Sequence, residues 1–278
     1  MLGVVGDRPL GAKDVDAVSR ALDLEPVASC MVAARVEAYG LSPRFLGGEM
    51  WTASVPTDSL AFSGANLMPL RGGPADLDVF ADRALAAPRI CTSVVGEAAL
   101  TLPLWDRLAS HWGPAREIRA EQPLLALHGY PAIAPDPHVR LVTMADLDRY
   151  FPAAVEMFIG EVGVDPCAGD DGRSYRRRLA SLISARRVFA RFDGDQVVYK
   201  AEIGSMSRRV GQIQGVWVDP DVRGRGHGAA GTAAVVAAIA RQGRTASLYV
   251  NGFNRAAKET YRRVGFAQVG TFATVLVD

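Results

Sequence analysis

Between Val218 and Gly231 the chain reads VDPDVRGRGHGAAG, and no other stretch restricts the fold as much. The apolar run QIQGVWV leads into it and an alanine-rich run leads out, the pattern of a strand-to-helix connection. Nine positions from Arg223 hold two arginines and four glycines. Glycine has no Cβ, so several backbone N–H groups can approach one anion, and the N-terminus of the following helix adds partial positive charge. Arg223 and Arg225 add full charges. Together they predict a bound pyrophosphate or a similar anion.

Three nucleotide-binding patterns can be compared with this loop. A Walker A loop is excluded because no Gly-Lys-Ser/Thr triplet follows the glycines. Gly226-His227-Gly228-Ala229-Ala230-Gly231 matches G-x-G-x-x-G, but Asp219 to Arg225 separate it from the strand. No Asp or Glu occurs from Val222 through Lys258 to hold a ribose, which argues against NAD. Arginine can bind a 2′-phosphate, so NADP is disfavoured rather than excluded.

The third pattern is a family resemblance. Arg223-Gly224-Arg225-Gly226-His227-Gly228, after VWVDP, resembles the R-x-x-G-x-G/A loop of the GNAT N-acetyltransferase superfamily. A second feature, NRAAKETYRRVGF, follows at Asn254 to Phe266. In it Asn254 is a plausible helix cap, Ala257, Tyr261 and Val264 share one helical face, and Gly265 ends the helix. The resemblance implies acetyl-coenzyme A as co-substrate, with its pyrophosphate on Arg223 to Gly228 and its pantetheine arm along Val216, Trp217 and Val218. It further implies that Asn254 and Ala257 touch the cofactor and that Tyr261 protonates the departing thiolate. A phenol of pKa about 10 is protonated at neutral pH and suits a thiolate whose acid has pKa about 8.5. LYVNGFNRAAKETYRRVGF and VGTFATVLV are similar to actinobacterial GNAT proteins that carry an N-terminal domain of unknown function.

The whole chain has 278 residues, a length that favours two domains. HGYPAIAPDPH, from His128 to His138, lacks helical and strand periods and reads as a linker, giving expected domains at 1–132 and 133–278. The second half predicts β-α-α-β-β-β-α-β-α-β: an α/β (α+β) fold with a mixed, mostly antiparallel sheet and helices on both faces. Residues 1–127 repeat much of this order without its first strand, which predicts a smaller, degenerate GNAT-like copy; an unrelated α/β domain is the alternative. Its counterpart of the loop, ANLMPLRGGPADL, has lost the arginine-glycine register, so no productive coenzyme A site is expected there.

Net charge is +1, which gives nucleic-acid binding no bulk electrostatic support. Cys30, Cys91 and Cys167 are unpaired in spacing, so neither a disulfide framework nor a metal site is indicated. The opening MLGVVGDRPLGAKD lacks the order of a signal peptide, and no apolar run spans a bilayer. The expectation is a cytoplasmic monomer or homodimer with no metal, membrane or nucleic-acid partner. Its acceptor would be a small-molecule amine or a peptide or protein amine, attacked directly in a ternary complex.

The base is the open question at this level. Glu202, Glu156 and Glu161 lie on elements that line the acceptor side in the resembled family, and a solvated or ion-paired role competes for each. Phe158, Tyr249 and Phe253 are candidates for an acceptor wall or for core. A non-catalytic acyl-CoA-binding module is the rival function.

Overall fold

The apolar periods of the second half become elements close to their expected bounds in a computed structural model, which describes residues 9–277. Residues 1–8, part of the opening read above for a signal peptide, lie outside the described residues. The chain divides into two compact units, Met1–Leu125 with Tyr249–Asn254 and Gln268–Asp278, and Ala126–Leu248 with Arg255–Ala267.

The first unit begins with helices α1 (Val15–Leu24), α2 (Cys30–Tyr39) and the single turn α3 (Pro43–Leu46). Strands β1 (Gly48–Trp51), β2 (Leu60–Gly64) and β3 (Asn66–Arg71) form an antiparallel meander. Within SLAFSGANLMPL the chain turns at Ala65 to make β2 and β3. Helix α4 (Pro74–Leu85) leads to β4 (Ser93–Glu97), which pairs parallel with β3 at Asn66↔Ser93 and Leu67↔Val94. Helix α5 (Ala98–Trp112) and β5 (Glu117–Leu127) complete the order.

The second unit opens on β6 (Arg140–Leu141), α6 (Leu147–Val162) and α7 (Arg173–Ser184). β7 (Val188–Asp193), β8 (Gln196–Met206) and β9 (Val210–Val218) then run antiparallel. The β7–β8 turn uses Gly194 at φ +56°, a conformation that side chains resist. Helix α8 (His227–Ala240) returns the chain to β10 (Thr245–Tyr249), parallel to β9, before α9 (Arg255–Val264). The last strand, β11 (Ala267–Leu276), pairs antiparallel with β4 from Phe272↔Glu97 to Leu276↔Ser93. Its side chains Phe272, Val275 and Val277 fill cores of the first unit, whereas the sequence reading left this strand with the second domain. Composition alone does not reveal this, because an apolar strand carries no mark of the sheet it will join.

Both units therefore repeat one path: three antiparallel strands, a helix, a strand parallel to the third, a helix, a strand. Residues Val197 to Ile203 of β8 are buried at every position, as in a strand covered on both sides.

Helix α6 is anchored at its start by Asp146. This buried carboxylate accepts from Arg140 at 2.8 Å, from the Thr143 N–H and hydroxyl at 2.8 Å, and from Arg149. Helix α4 is anchored by Asp76, whose carboxylate accepts from the Gly73 N–H at 2.7 Å.

Two consequences are measurable. Hydrogen bonding from Arg140, opposed by burial and reinforced by Arg149 and Thr143, holds the Asp146 carboxyl far below its ordinary range. A depressed pKa stabilises the fold above the unfolded carboxylate pKa, near 4, and that stability is lost as pH falls below it. Asp146→Asn should cost about 1–3 kcal/mol at pH 7 in denaturant unfolding and show a smaller loss between pH 5 and pH 3 than the parent. Asp76→Ala should cost about 1 kcal/mol and leave coenzyme A binding, measured by calorimetry, unchanged.

Candidate functional site at the β9–α8 junction

β9 and β10 pair only over Thr245↔Val210, Ala246↔Gly211 and Ser247↔Gln212. Beyond that rung β9 continues for six residues, Ile213 to Val218, without a ladder to β10, so its outer edge is open. Val216, Trp217 and Val218, named from the sequence, are half-buried on this edge. An open parallel edge beside a helix N-terminus is where α/β sheets bind ligands.

The register of β9 against β8 is broken at the same level. Glu202 pairs with Gln214 and Lys200 with Trp217, so Gly215 and Val216 stand opposite Ala201 alone. Gly215 sits at φ +57°, and a Cβ there would lie 3.0 Å from the Met157 Cε and 3.4 Å from the Lys200 Nζ. Glycine is required on both counts.

The loop after β9 turns away from side-chain capping. Asp219 accepts from the Asp221 N–H at 2.9 Å, and the Arg223 Nε donates to the Val218 carbonyl at 3.1 Å, tying the loop to the strand end. Gly224 and Gly226 adopt φ +77° and +88°. Gly226 caps α8 without a side-chain hydrogen bond, and the first turn of α8 holds no acid. At α4, by contrast, the Asp76 carboxylate occupies the helix N-terminus. The α8 amides are thus available to an external anion, with Arg223 and Arg225 exposed around them.

His227 and Gly228 open α8, half-buried. The His227 Nδ1 lies 3.4 Å from an Arg191 nitrogen, and Arg191 is paired with Asp136 at 2.8 Å. Beside them lies a cavity of about 530 Å³ lined by Arg191, Arg225, His227, His138 and Arg263. Asp136 lines it too and neutralises Arg191, which leaves Arg225 and Arg263 as its other arginines.

Helix α9, which carries Tyr261, meets the same region through Thr260. A Cβ at Gly228 would lie 3.4 Å from the Val218 side chain and 3.7 Å from that of Thr260, so strand end, helix start and α9 converge. Tyr261 is 7% exposed, its ring edge-on to Phe266 at 5.9 Å. Burial pushes its phenol above the ordinary range, and the charge of Glu161 pushes it the same way. The group is therefore protonated throughout the working range. Ala257 is half-buried on the same helix, while Asn254 belongs to the Tyr249–Asn254 segment and donates its backbone N–H to Asn251 at 2.9 Å.

The carboxylates separate by environment. Glu161, exposed near the end of α6, has its charge felt at Tyr261, Tyr175 and Lys200. Glu202 is 1% exposed and accepts from Lys200 at 3.0 Å, Tyr150 at 3.2 Å and Gln214 at 3.3 Å. Burial would raise its pKa, but Lys200 and Arg178, with Gln214, hold it below the ordinary range. Its two oxygens already accept from three buried donors, so service as a direct base, the role considered from the sequence, requires one of these bonds to be given up. Lys200 and Tyr150 were missed. Their signal was K-x-E within VVYKAEIG, two charges on one face of an otherwise apolar strand.

The aromatic candidates are accounted for separately. Phe158 packs 5.2 Å from Tyr175, Tyr249 packs 5.3 Å from Phe272, and Phe253 is exposed. Among the described residues no group of three or more His, Cys, Asp or Glu could hold a metal, and no helix is long and apolar enough to cross a membrane.

Comparison with known proteins agrees with this geometry. Residues 197–275 match the FR47-like protein family and residues 48–150 match a domain of unknown function, DUF4081. A mycothiol acetyltransferase from Cellulomonas flavigena is 44% identical over 70 residues, which is 25% of this chain and 20% of that protein's length. A GNAT-family acetyltransferase structure from Colwellia psychrerythraea superposes with a TM-score of 0.56 at 11% identity, covering 98% of this chain and 99% of that one. A tandem GNAT protein from the clavulanic acid biosynthesis pathway gives 0.53 at 14% identity, covering 96% and 97%. Residues 197–275 thus match the FR47-like family and residues 48–150 match DUF4081, and the fold is the one found in solved GNAT-family acetyltransferases.

Proposed function

We propose that the chain is an acetyl-coenzyme A-dependent N-acetyltransferase in which a primary amine attacks the thioester directly in a ternary complex. The observation that carries this reading is the uncapped N-terminus of α8, set at the end of an open β9 edge. The mycothiol acetyltransferase similarity supports acetyl transfer as the reaction class.

In this reading the amides of Gly224 to Gly228, with Arg223 and Arg225, hold the pyrophosphate, and the basic cavity beside His227 takes further phosphate charge. The pantetheine arm lies along Val216 to Val218, with Ala257 as a further contact. The amine nitrogen forms a bond to the carbonyl carbon, the carbon–sulfur bond breaks, the thiolate takes the Tyr261 proton, and the proton shed by the acylated nitrogen passes through solvent to restore the phenol. Glu161 is the carboxylate suited to receive the ammonium form of the acceptor, whose proton then passes to solvent. A small-molecule amine and a peptide or protein amine both satisfy these contacts.

The test is thiol release from acetyl-coenzyme A across a panel of primary amines, with calorimetry of coenzyme A. Tyr261→Phe should lower kcat by about 100-fold or more while coenzyme A binds as before. Arg223→Ala with Arg225→Ala should weaken coenzyme A binding by about 10-fold or more. Unchanged turnover in Tyr261→Phe removes the assigned acid. Binding that depends on both arginines, without turnover of any amine, supports a non-catalytic acyl-coenzyme A module instead.

A further inference from the structure

The Lys200–Glu202 pair is the most deeply buried charged group of the second unit, at 0% and 1% exposure. Burying two charges in this way seldom adds stability over apolar side chains of the same size. Its location is specific. Each residue is paired across β8–β9 with one flank of the bulge, Glu202 with Gln214 and Lys200 with Trp217. Glu202 also accepts from the Gln214 side chain at 3.3 Å, on the near side of Gly215. The Lys200 Nζ lies 3.4 Å and the Glu202 Cδ 3.7 Å from where a Gly215 Cβ would be. Tyr150 fixes the arrangement from α6, donating to the Glu202 Oε1 at 3.2 Å under the Lys200 ammonium.

We infer that the buried Lys200–Glu202 pair, braced by Tyr150, is a positioning device that fixes the Gly215–Val216 bulge and so sets the outward backbone groups of Val216 to Val218. The pair touches neither reactant. It acts through β9, whose edge beyond Gln212 has no β10 partner to hold it straight. Where an edge strand must present backbone donors to a reacting carbonyl, small displacements are costly, because such donors work by being fixed in advance. Glycine at 215 makes the bulge possible, and the charge pair beneath it selects one geometry from those that glycine allows.

The kinetic arm of the test rests on the acyl-transfer reading above; the exchange arm does not. Lys200→Met combined with Glu202→Gln keeps volume and the Tyr150 hydrogen bond while removing both charges, the Gln214 amide turning over so that its oxygen accepts from the introduced NH2, and Tyr150→Phe removes one brace only. Hydrogen exchange should show the amides of 215–218 in the double variant exchanging about 10-fold faster, with α8 and the β7–β8 ladder unchanged. The kcat should fall by about 10- to 100-fold, with coenzyme A affinity within about 3-fold of the parent. Tyr150→Phe should give smaller changes of the same pattern. Parental exchange at 215–218 in both variants overturns the inference, whether or not an acceptor amine has been found. A uniform rise in exchange across the second unit also overturns it, since that marks a purely structural pair. If the parent enzyme acetylates no amine, the acyl-transfer reading fails while the exchange result still decides this one.

Discussion

Parallel pairing between β9 and β10 stops after three rungs, and the candidate site follows from that interruption. Had the ladder continued, the outer edge of Ile213 to Val218 would be satisfied by β10 and closed to any ligand. Because it stops, a row of backbone donors and acceptors must find partners elsewhere, and a buried polar backbone group without a partner is costly. An extended ligand carrying amides is a natural substitute strand. The glycine loop and α8 then begin where that strand would end.

The two units show what separates a scaffold from a site. Each has three antiparallel strands, a helix and a parallel fourth strand. At α4, Asp76 supplies a carboxylate to the first turn, and the helix end is satisfied internally. Glycine takes the cap position at both helices, but at α8 the first turn is free of acid and arginines stand around it. One residue type at one helix start decides whether the anion is part of the chain or comes from outside.

Much of this was legible in the sequence. The loop is a pattern of residue types at fixed spacing, so Arg223 to Gly228 and the helix bearing Tyr261 are readable without coordinates. Helices α6 to α9 and strands β7 to β9 follow from apolar period and from Gly194, because local preference and burial agree in them. Three features were not legible for three different reasons. The turn at Ala65 is marked only by Ser63, Gly64 and Asn66, a brief interruption between two apolar stretches. The partner of β11 is a long-range choice that an apolar strand does not encode. The Lys200–Glu202 pair reads as a charged strand face until the bulge at Gly215 and the hydroxyl of Tyr150 are seen against it.

The account stands on one claim, that the α8 amides and the open β9 edge form the coenzyme A site. A crystal structure of the protein with coenzyme A tests it most directly. The account predicts the pyrophosphate on the amides of Gly224 to Gly228 and the pantetheine arm antiparallel or parallel to Val216 to Val218, with its sulfur toward Tyr261. Coenzyme A bound elsewhere, with the α8 N-terminus left to solvent, would contradict it.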